Sequence, residues 1–79
     1  MSPTIFREGG FRFFFFSREE RRIHVHALCA NGVAKFWLEP DVELAQNYGL
    51  NNSELKAAAT LVKEHHDEIS RAWTRHFAS

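Results

Sequence analysis

The sequence has little of what marks the specialised classes of protein. Its 79 residues include a single cysteine, Cys29, so neither an intramolecular disulfide nor a zinc site built from several cysteines can form. No apolar run approaches the ~20 residues that a membrane-spanning helix needs, and no signal peptide is recognisable. We therefore expect a cytoplasmic protein that does not insert into a membrane. Neither an internal repeat nor a low-complexity segment is present.

The net charge is zero, because ten lysines and arginines balance ten aspartates and glutamates. A balanced total argues against strong non-specific binding to nucleic acid, which depends on neutralising phosphates. The distribution is uneven, because residues 1–38 carry six basic and three acidic groups and residues 39–79 carry four and seven. Such asymmetry indicates either a sheet that faces anions and an acidic helical face, or pairing of these charges within the chain.

The length predicts one domain, 1–79, because a division would leave neither part with a core. A chain this short buries only roughly 60–65% of its unfolded surface. We therefore expect a homodimer, or a protein partner that covers further apolar surface. No cofactor is predicted.

Two glycine-containing turns organise the first half of the chain into hairpins. Gly9-Gly10 follows two charged residues, and Asn31-Gly32 is the dipeptide most typical of a two-residue hairpin turn. The segments beside these turns contain many aromatic and β-branched residues, which favour strands. The sequence therefore predicts an antiparallel meander of three or four strands. The predicted strands are 4–7, 11–17, 23–28 and 33–38.

The predicted strand 11–17 is apolar on both faces, because side chains alternate between the faces of a strand. One set, which we expect in the core, is Phe11, Phe13 and Phe15. The opposite set is Arg12, Phe14 and Phe16. This second set needs a cover, a partner protein or a ligand. We therefore predict a binding surface that contains Arg12, Phe14, Phe16 and, from the strand 33–38, Trp37.

Helical patterns follow the strands. Pro40 ends the last strand because it lacks the donor of a sheet hydrogen bond, and Asp41 is a typical N-cap, which predicts a short helix over 42–48. A long helix then runs from a cap at residues 51–53 to about Phe77, with its apolar side chains on one stripe. The stripe contains Leu55, Ala58, Ala59, Val62, Ile69 and Trp73. The predicted fold class is α+β, a meander packed against one long C-terminal helix with a short helix between.

The segments PTIFREGGFRFFFFS, HVH and AKFWLEP, with a terminal helix that ends in Trp and Phe, resemble a small prokaryotic family. That family is a domain of unknown function, and the resemblance covers nearly the whole chain. It implies a compact bacterial protein of the kind found in toxin–antitoxin-like gene pairs. One departure is Ile23, which stands where the family usually has proline. No catalytic residue is established for the family, so the resemblance assigns none.

His24 and His26 are the chemically suggestive pair, because residues two apart on a strand share a face roughly 7 Å apart. Two such imidazoles could act as general acid and base, or bind a transition metal. A metal site would need another ligand, and Cys29, Glu64, His65 and His66 are the residues that could supply one. Without a fixed third ligand, we favour a polar sheet face over a metal site. His65 and His66 fit the boundary of the apolar stripe, and Cys29 fits a small packing position.

Two functions compete on these patterns. The leading prediction is a protein-binding module of a toxin–antitoxin-like or mobile-element system, which acts through a protein interface and is not an enzyme. The alternative is an RNA-cleaving or RNA-binding toxin, in which His24 and His26 act beside the cations Arg12 and Lys35. Whether these residues share one face depends on strand register, which the sequence leaves open. A helix-turn-helix is disfavoured, because its second helix would begin with Glu54 and a single cation, Lys56.

Overall fold

A computed structural model describes residues 4–16 and 21–77 of the chain. Five strands form one antiparallel sheet in the order β1-β2-β3-β4-β5, and two helices follow them. The elements are β1 Thr4–Glu8, β2 Phe11–Phe14, β3 His24–Cys29, β4 Gly32–Trp37, β5 Glu43–Tyr48, α1 Asn52–Glu64 and α2 His66–Phe77. The predicted α+β class is confirmed. The predicted end of the second strand, at Ser17, lies outside the described residues.

The two predicted hairpins form as the turn residues require. Gly9 and Gly10 adopt φ values of 61° and 82° between β1 and β2, a region that favours glycine. At the turn between β3 and β4, a Cβ atom on Gly32 would overlap the backbone carbonyl oxygen of Tyr48. Gly32 therefore lets the start of β4 approach the end of β5 closely.

The core lies between the sheet and the helices. Its sheet side contains the predicted set of Phe11, Phe13 and Phe15, and its helix side contains the buried Val62 and Ile69. The remaining buried apolar side chains of this core are Val25, Ala27, Ala34, Phe36, Leu38, Leu50 and Ala58. The helical stripe is thus confirmed as the face that packs on the sheet. In the described part of the chain, no helix is long and apolar enough to cross a membrane.

The predicted helix over 42–48 is wrong, because Glu43–Tyr48 forms the strand β5, and the sheet has five strands where three or four were predicted. Leu44, Ala45 and Gln46 favour helices locally, but β5 pairs with β4 along its length, from Val33 opposite Tyr48 to Trp37 opposite Glu43. Pairing with a neighbour that is distant in sequence outweighs a propensity of a few tenths of a kcal/mol per residue (roughly 0–0.7).

The predicted long helix is two helices that meet at His65. Asn51 caps α1 through a capping box, because its side chain accepts from the Glu54 amide while the Glu54 carboxylate accepts from the Asn51 amide. At the other end, His65 leaves the helical conformation, with φ −103° and ψ 20°. The apolar stripe continues across this break, which is why the sequence pattern does not reveal it.

Candidate functional site

The sheet face directed away from the core, here called the distal face, collects every site residue predicted from the sequence. One cross-strand row contains Phe14, His26, Lys35 and Gln46 as successive partners. A neighbouring row pairs His24 with Trp37. The predicted site residues on this face are Arg12, Phe14, Phe16, His24, His26, Lys35 and Trp37. The register therefore places the basic, aromatic and histidine sets together.

The histidine pair lies beneath the surface of this face. His24 is 1% exposed and His26 is 6% exposed, and their ring centroids are 5.4 Å apart. The Nδ1 of His24 donates to the Arg22 carbonyl oxygen at 2.8 Å, and Trp73 from α2 contacts the same ring at 5.1 Å. Phe16 lies against His26, with 4.5 Å between the ring centroids. Both imidazoles are therefore integrated into aromatic packing.

Burial also fixes the protonation state of His26. Desolvation lowers its pKa to about 4, with smaller contributions from the neighbouring charges of His24 and Lys35. Near pH 7 the ring is therefore neutral, and its imidazolium form is almost unpopulated. A general acid or base works best with a pKa near the operating pH, so His26 is poorly matched to acid–base catalysis in a neutral compartment.

The other candidate metal ligands lie away from the histidine pair. His65 binds the carboxylates of Glu8 and Glu68, and the Nε2 of His66 lies 3.2 Å from the Leu38 carbonyl oxygen. Cys29 lies 4.0 Å from a Glu54 oxygen at the start of α1. Within residues 4–16 and 21–77, no group of three or more metal-ligating side chains comes together. Among these described residues, none joins His24 and His26 as the third ligand that a metal site needs.

Cations stack on the aromatic rings of the distal face. The Arg12 guanidinium lies 4.6 Å from the Phe14 ring, and the Trp37 ring has Arg22 at 4.3 Å and the Lys35 ammonium at 4.6 Å. Arg22 also donates to the Glu39 carbonyl oxygen at 3.1 and 3.2 Å. These contacts hold the charged groups against the sheet as cation–π pairs.

Among the residues that the structure describes, the distal face is mainly basic. Arg7 and Arg12 are direct cross-strand partners in β1 and β2, an arrangement that places like charges opposite each other. Lys35 and Arg22 add two more cations, while the acid in the strand rows of this face is Glu43, 3.8 Å from Arg22. Such a surface attracts anionic groups. The uneven charge distribution of the sequence thus has a structural counterpart on this face.

A groove crosses the distal face above β4 and β5. Its volume is about 430 Å³, within the range of binding clefts. Phe16 and Tyr48 line it as partly exposed aromatic side chains, and the buried His26 and Lys35 form its polar base. The remaining lining residues are Val33, Ala34 and Gln46.

Sequence reasoning missed Tyr48 and Gln46, because the segment 42–48 was predicted to be helical. The available signal was the Pro40-Asp41 dipeptide, which suits a tight connection between strands as well as the start of a helix. Arg7 and Leu28 were also missed as members of this face. Strand register assigns them, since Arg12 lies opposite both.

These features define a small α+β domain in which two helices cover one face of a five-stranded antiparallel meander, and the opposite face is basic and aromatic. The chain belongs to the family described as a domain of unknown function, DUF4160, which matches residues 10–74. This match confirms the family resemblance and spans β2 to β5, α1 and most of α2. No curated protein and no solved structure matches the chain.

Proposed function

We propose that this protein is a protein-binding module whose distal face binds an acidic and partly apolar surface of a partner. The observation that carries the proposal is the position of the exposed large apolar side chains. Among the described residues there are five, and three of them, Phe16, Leu28 and Tyr48, which are 41%, 38% and 64% exposed, belong to the distal face. Exposed apolar side chains grouped around a groove are typical of an interface.

The charge of the distal face supports an acidic partner. Arg7 and Arg12 are cross-strand partners on this face and Arg22 stacks on Trp37, so the face attracts an anionic surface. Two copies of this basic face would repel each other, so the same observation disfavours a homodimer formed by two distal faces. A different protein is therefore the better occupant.

We further propose that the partner is encoded beside this protein in a toxin–antitoxin-like gene pair or a mobile element. This part of the proposal rests on the family resemblance. It supplies a concrete probe, the product of the adjacent gene.

RNA binding is the second candidate, since stacked cations beside exposed aromatic rings also suit a single strand. RNA cleavage by the histidine pair is less favoured, because His24 and His26 are 1% and 6% exposed. A reacting phosphate would have to reach rings that aromatic side chains cover. The protein interface needs only the exposed parts of the same face.

Isothermal titration calorimetry with the purified product of the adjacent gene tests the proposal. Phe16→Ala should raise the Kd at least tenfold, about 1.4 kcal/mol, because a partly exposed aromatic ring at the edge of a groove is a typical hot spot. The matched control is Phe77→Ala, since Phe77 is 36% exposed at the end of α2, where its ring contacts Phe15 and Trp73, and it does not line the groove. The control should change the Kd by less than about twofold, well under the threshold of a hot spot.

Fluorescence anisotropy with a labelled single-stranded RNA distinguishes the second candidate. The proposal predicts weak RNA binding that disappears as salt is raised. Submicromolar RNA binding at physiological salt, lost in Phe16→Ala and combined with no binding to the adjacent gene product, would replace the protein interface by an RNA interface.

A further inference from the structure

One carboxylate joins the turn between β3 and β4 to the start of α1. The Oε2 of Glu54 accepts a hydrogen bond from the Asn31 side-chain amide at 2.7 Å, and the Cys29 sulfur lies 4.0 Å from the same oxygen. The Oε1 of Glu54 accepts from the Asn51 backbone amide at 2.9 Å. Glu54 therefore links the turn to the cap of the helix, and this link depends on a donor at Asn31.

The backbone of the same turn lies directly against the end of β5. A Cβ atom on Gly32 would overlap the Tyr48 carbonyl oxygen, and a Cβ atom on Gly49 would overlap the Asn31 carbonyl oxygen. Glycine is therefore required after Asn31, because no side chain fits at that position. For the same reason, the main chain at Asn31 has no room to lengthen.

An asparagine followed by glycine is the dipeptide in which a side-chain amide reacts most readily with the main chain, because glycine leaves the next backbone nitrogen unshielded. Asn31 is exposed, and of the four asparagines in the sequence it is the one that glycine follows. The Gly32 nitrogen loses its proton to solvent and forms a bond to the Asn31 Cγ, while the Cγ–Nδ2 bond breaks and ammonia leaves. Water then opens the cyclic imide, at the Cγ carbonyl to give aspartate or at the main-chain carbonyl to give isoaspartate.

We propose that Asn31 is a modification site, at which spontaneous deamidation releases the turn between β3 and β4 from α1 and from β5. The product has a carboxylate in place of the donor that lies 2.7 Å from Glu54, so two anions face each other where a hydrogen bond was. The isoaspartate form also adds a carbon atom to the main chain, where the turn packs on Tyr48 and Gly49. Deamidation therefore adds a negative charge and loosens the point at which the turn, α1 and β5 meet.

Incubation of the purified full chain at mildly alkaline pH tests whether the site reacts. Peptide mapping by mass spectrometry should show deamidation of Asn31 at least tenfold faster than that of the other three asparagines. Isoaspartyl methyltransferase should label the same peptide, and it should not label that peptide in Asn31→Gln, whose longer side chain cyclises far more slowly. If Asn31 reacts only in urea, or if another asparagine reacts first, the proposed site is wrong.

A second experiment tests the release from α1. Asn31→Asp introduces the carboxylate without lengthening the main chain, and it should lower the Tm by about 4–8 °C. Adding Glu54→Gln should recover at least half of this loss, because glutamine supplies a donor to the new carboxylate and still serves in a capping box. The matched control is Asn52→Asp, which adds the same charge at the exposed first residue of α1 and should not lower the Tm, because acids are favoured there.

The remaining outcomes also decide the proposal. If Asn31→Asp unfolds at the wild-type temperature, or if Glu54→Gln recovers nothing, release from α1 is wrong. If Asn31→Asp does not fold, the aged wild-type protein is separated by ion exchange, and its deamidated fraction should unfold at a lower temperature than the intact fraction. Equal temperatures would contradict the release. In ¹⁵N spectra of the isoaspartate fraction, the amides of Tyr48 and Gly49 should shift, and unshifted amides would overturn the release from β5.

Discussion

His65 joins three elements, and substituting it should produce a pH-dependent loss of stability. Its Nδ1 lies 2.8 Å from a Glu68 oxygen in α2, and its Nε2 lies 2.9 Å from a Glu8 oxygen in β1. Both acceptors are carboxylates, so only the doubly protonated imidazolium donates to both. The ring also stacks on Phe6 with 4.0 Å between centroids. His65 therefore links the edge of the sheet to the junction of the two helices.

The hydrogen bonds to Glu68 and Glu8, together with their charges, raise the pKa of His65 above 6.5, against a smaller opposing effect of burial. A raised pKa in the folded state means that the folded protein binds the proton more tightly than the unfolded chain. The resulting stabilisation is complete below pH 6.5, the ordinary value, and is lost as the pH rises through the folded-state pKa.

The stabilisation by the two ion pairs of His65 is small, because the carboxylates of Glu8 and Glu68 are partly exposed to solvent. The two carboxylate side chains are 49% and 51% exposed, so each ion pair is worth roughly 0.2–1 kcal/mol. His65→Phe retains a ring on Phe6 and removes both pairs, so it should cost about 1 kcal/mol near pH 6. In a domain of this size that lowers the Tm by about 4–8 °C. His65→Ala also removes the stacking, which adds roughly 0.5–1.5 kcal/mol.

Thermal unfolding is followed by circular dichroism from pH 6 to pH 9, and the Tm of the wild type is compared with the Tm of His65→Phe at each pH. We expect the difference to be largest at the acid end and to shrink toward zero as the wild-type imidazolium loses its proton. A difference that is constant across this range would show that packing, not the charged hydrogen bonds, accounts for the loss. A difference that grows with pH would refute the sign of the linkage.

Three further substitutions test the buried histidine, the cap and the core. Because the pKa of His26 is lowered to about 4, its contribution to the free energy of unfolding should fall by roughly 2–3 kcal/mol as the pH drops from 6.5 to 4. Urea titrations of His26→Phe should lack this loss. Asn51→Ala removes the capping box and should cost about 1 kcal/mol by differential scanning calorimetry; an unchanged Tm would contradict the cap. Ile69→Ala should cost about 2–5 kcal/mol in the same urea assay, against about 0.5–1.5 for Ile69→Val, because the side chain is fully buried.

The part of the fold that local chemistry determines could be predicted from the sequence. Gly9-Gly10 and Asn31-Gly32 specify their turns by backbone preference alone, and both hairpins form around them. The helical stripe likewise depends on a spacing that is visible in the sequence, and Val62 and Ile69 are buried as it predicts.

The rest depends on contacts between distant residues. The break at His65 coincides with a hydrogen bond to Glu8, 57 positions away, while the apolar pattern runs through it unchanged. The sequence indicated which residues could form the candidate site, but it did not indicate that they share one face. A one-residue change of register between β3 and β4 would move Lys35 to the opposite face from His26. Burial of the histidine pair also follows from packing that no spacing in the sequence encodes.

The misprediction of β5 has a physical cause. Residues such as Leu44, Ala45 and Gln46 have little intrinsic preference for a strand, so β5 depends on pairing with β4 for its conformation. As an edge strand it receives that pairing on one side only. The conformation of β5 therefore depends on one neighbour, whereas β3 and β4 are paired on both sides, and the backbone amides of β5 should exchange with solvent faster than those of β3 and β4.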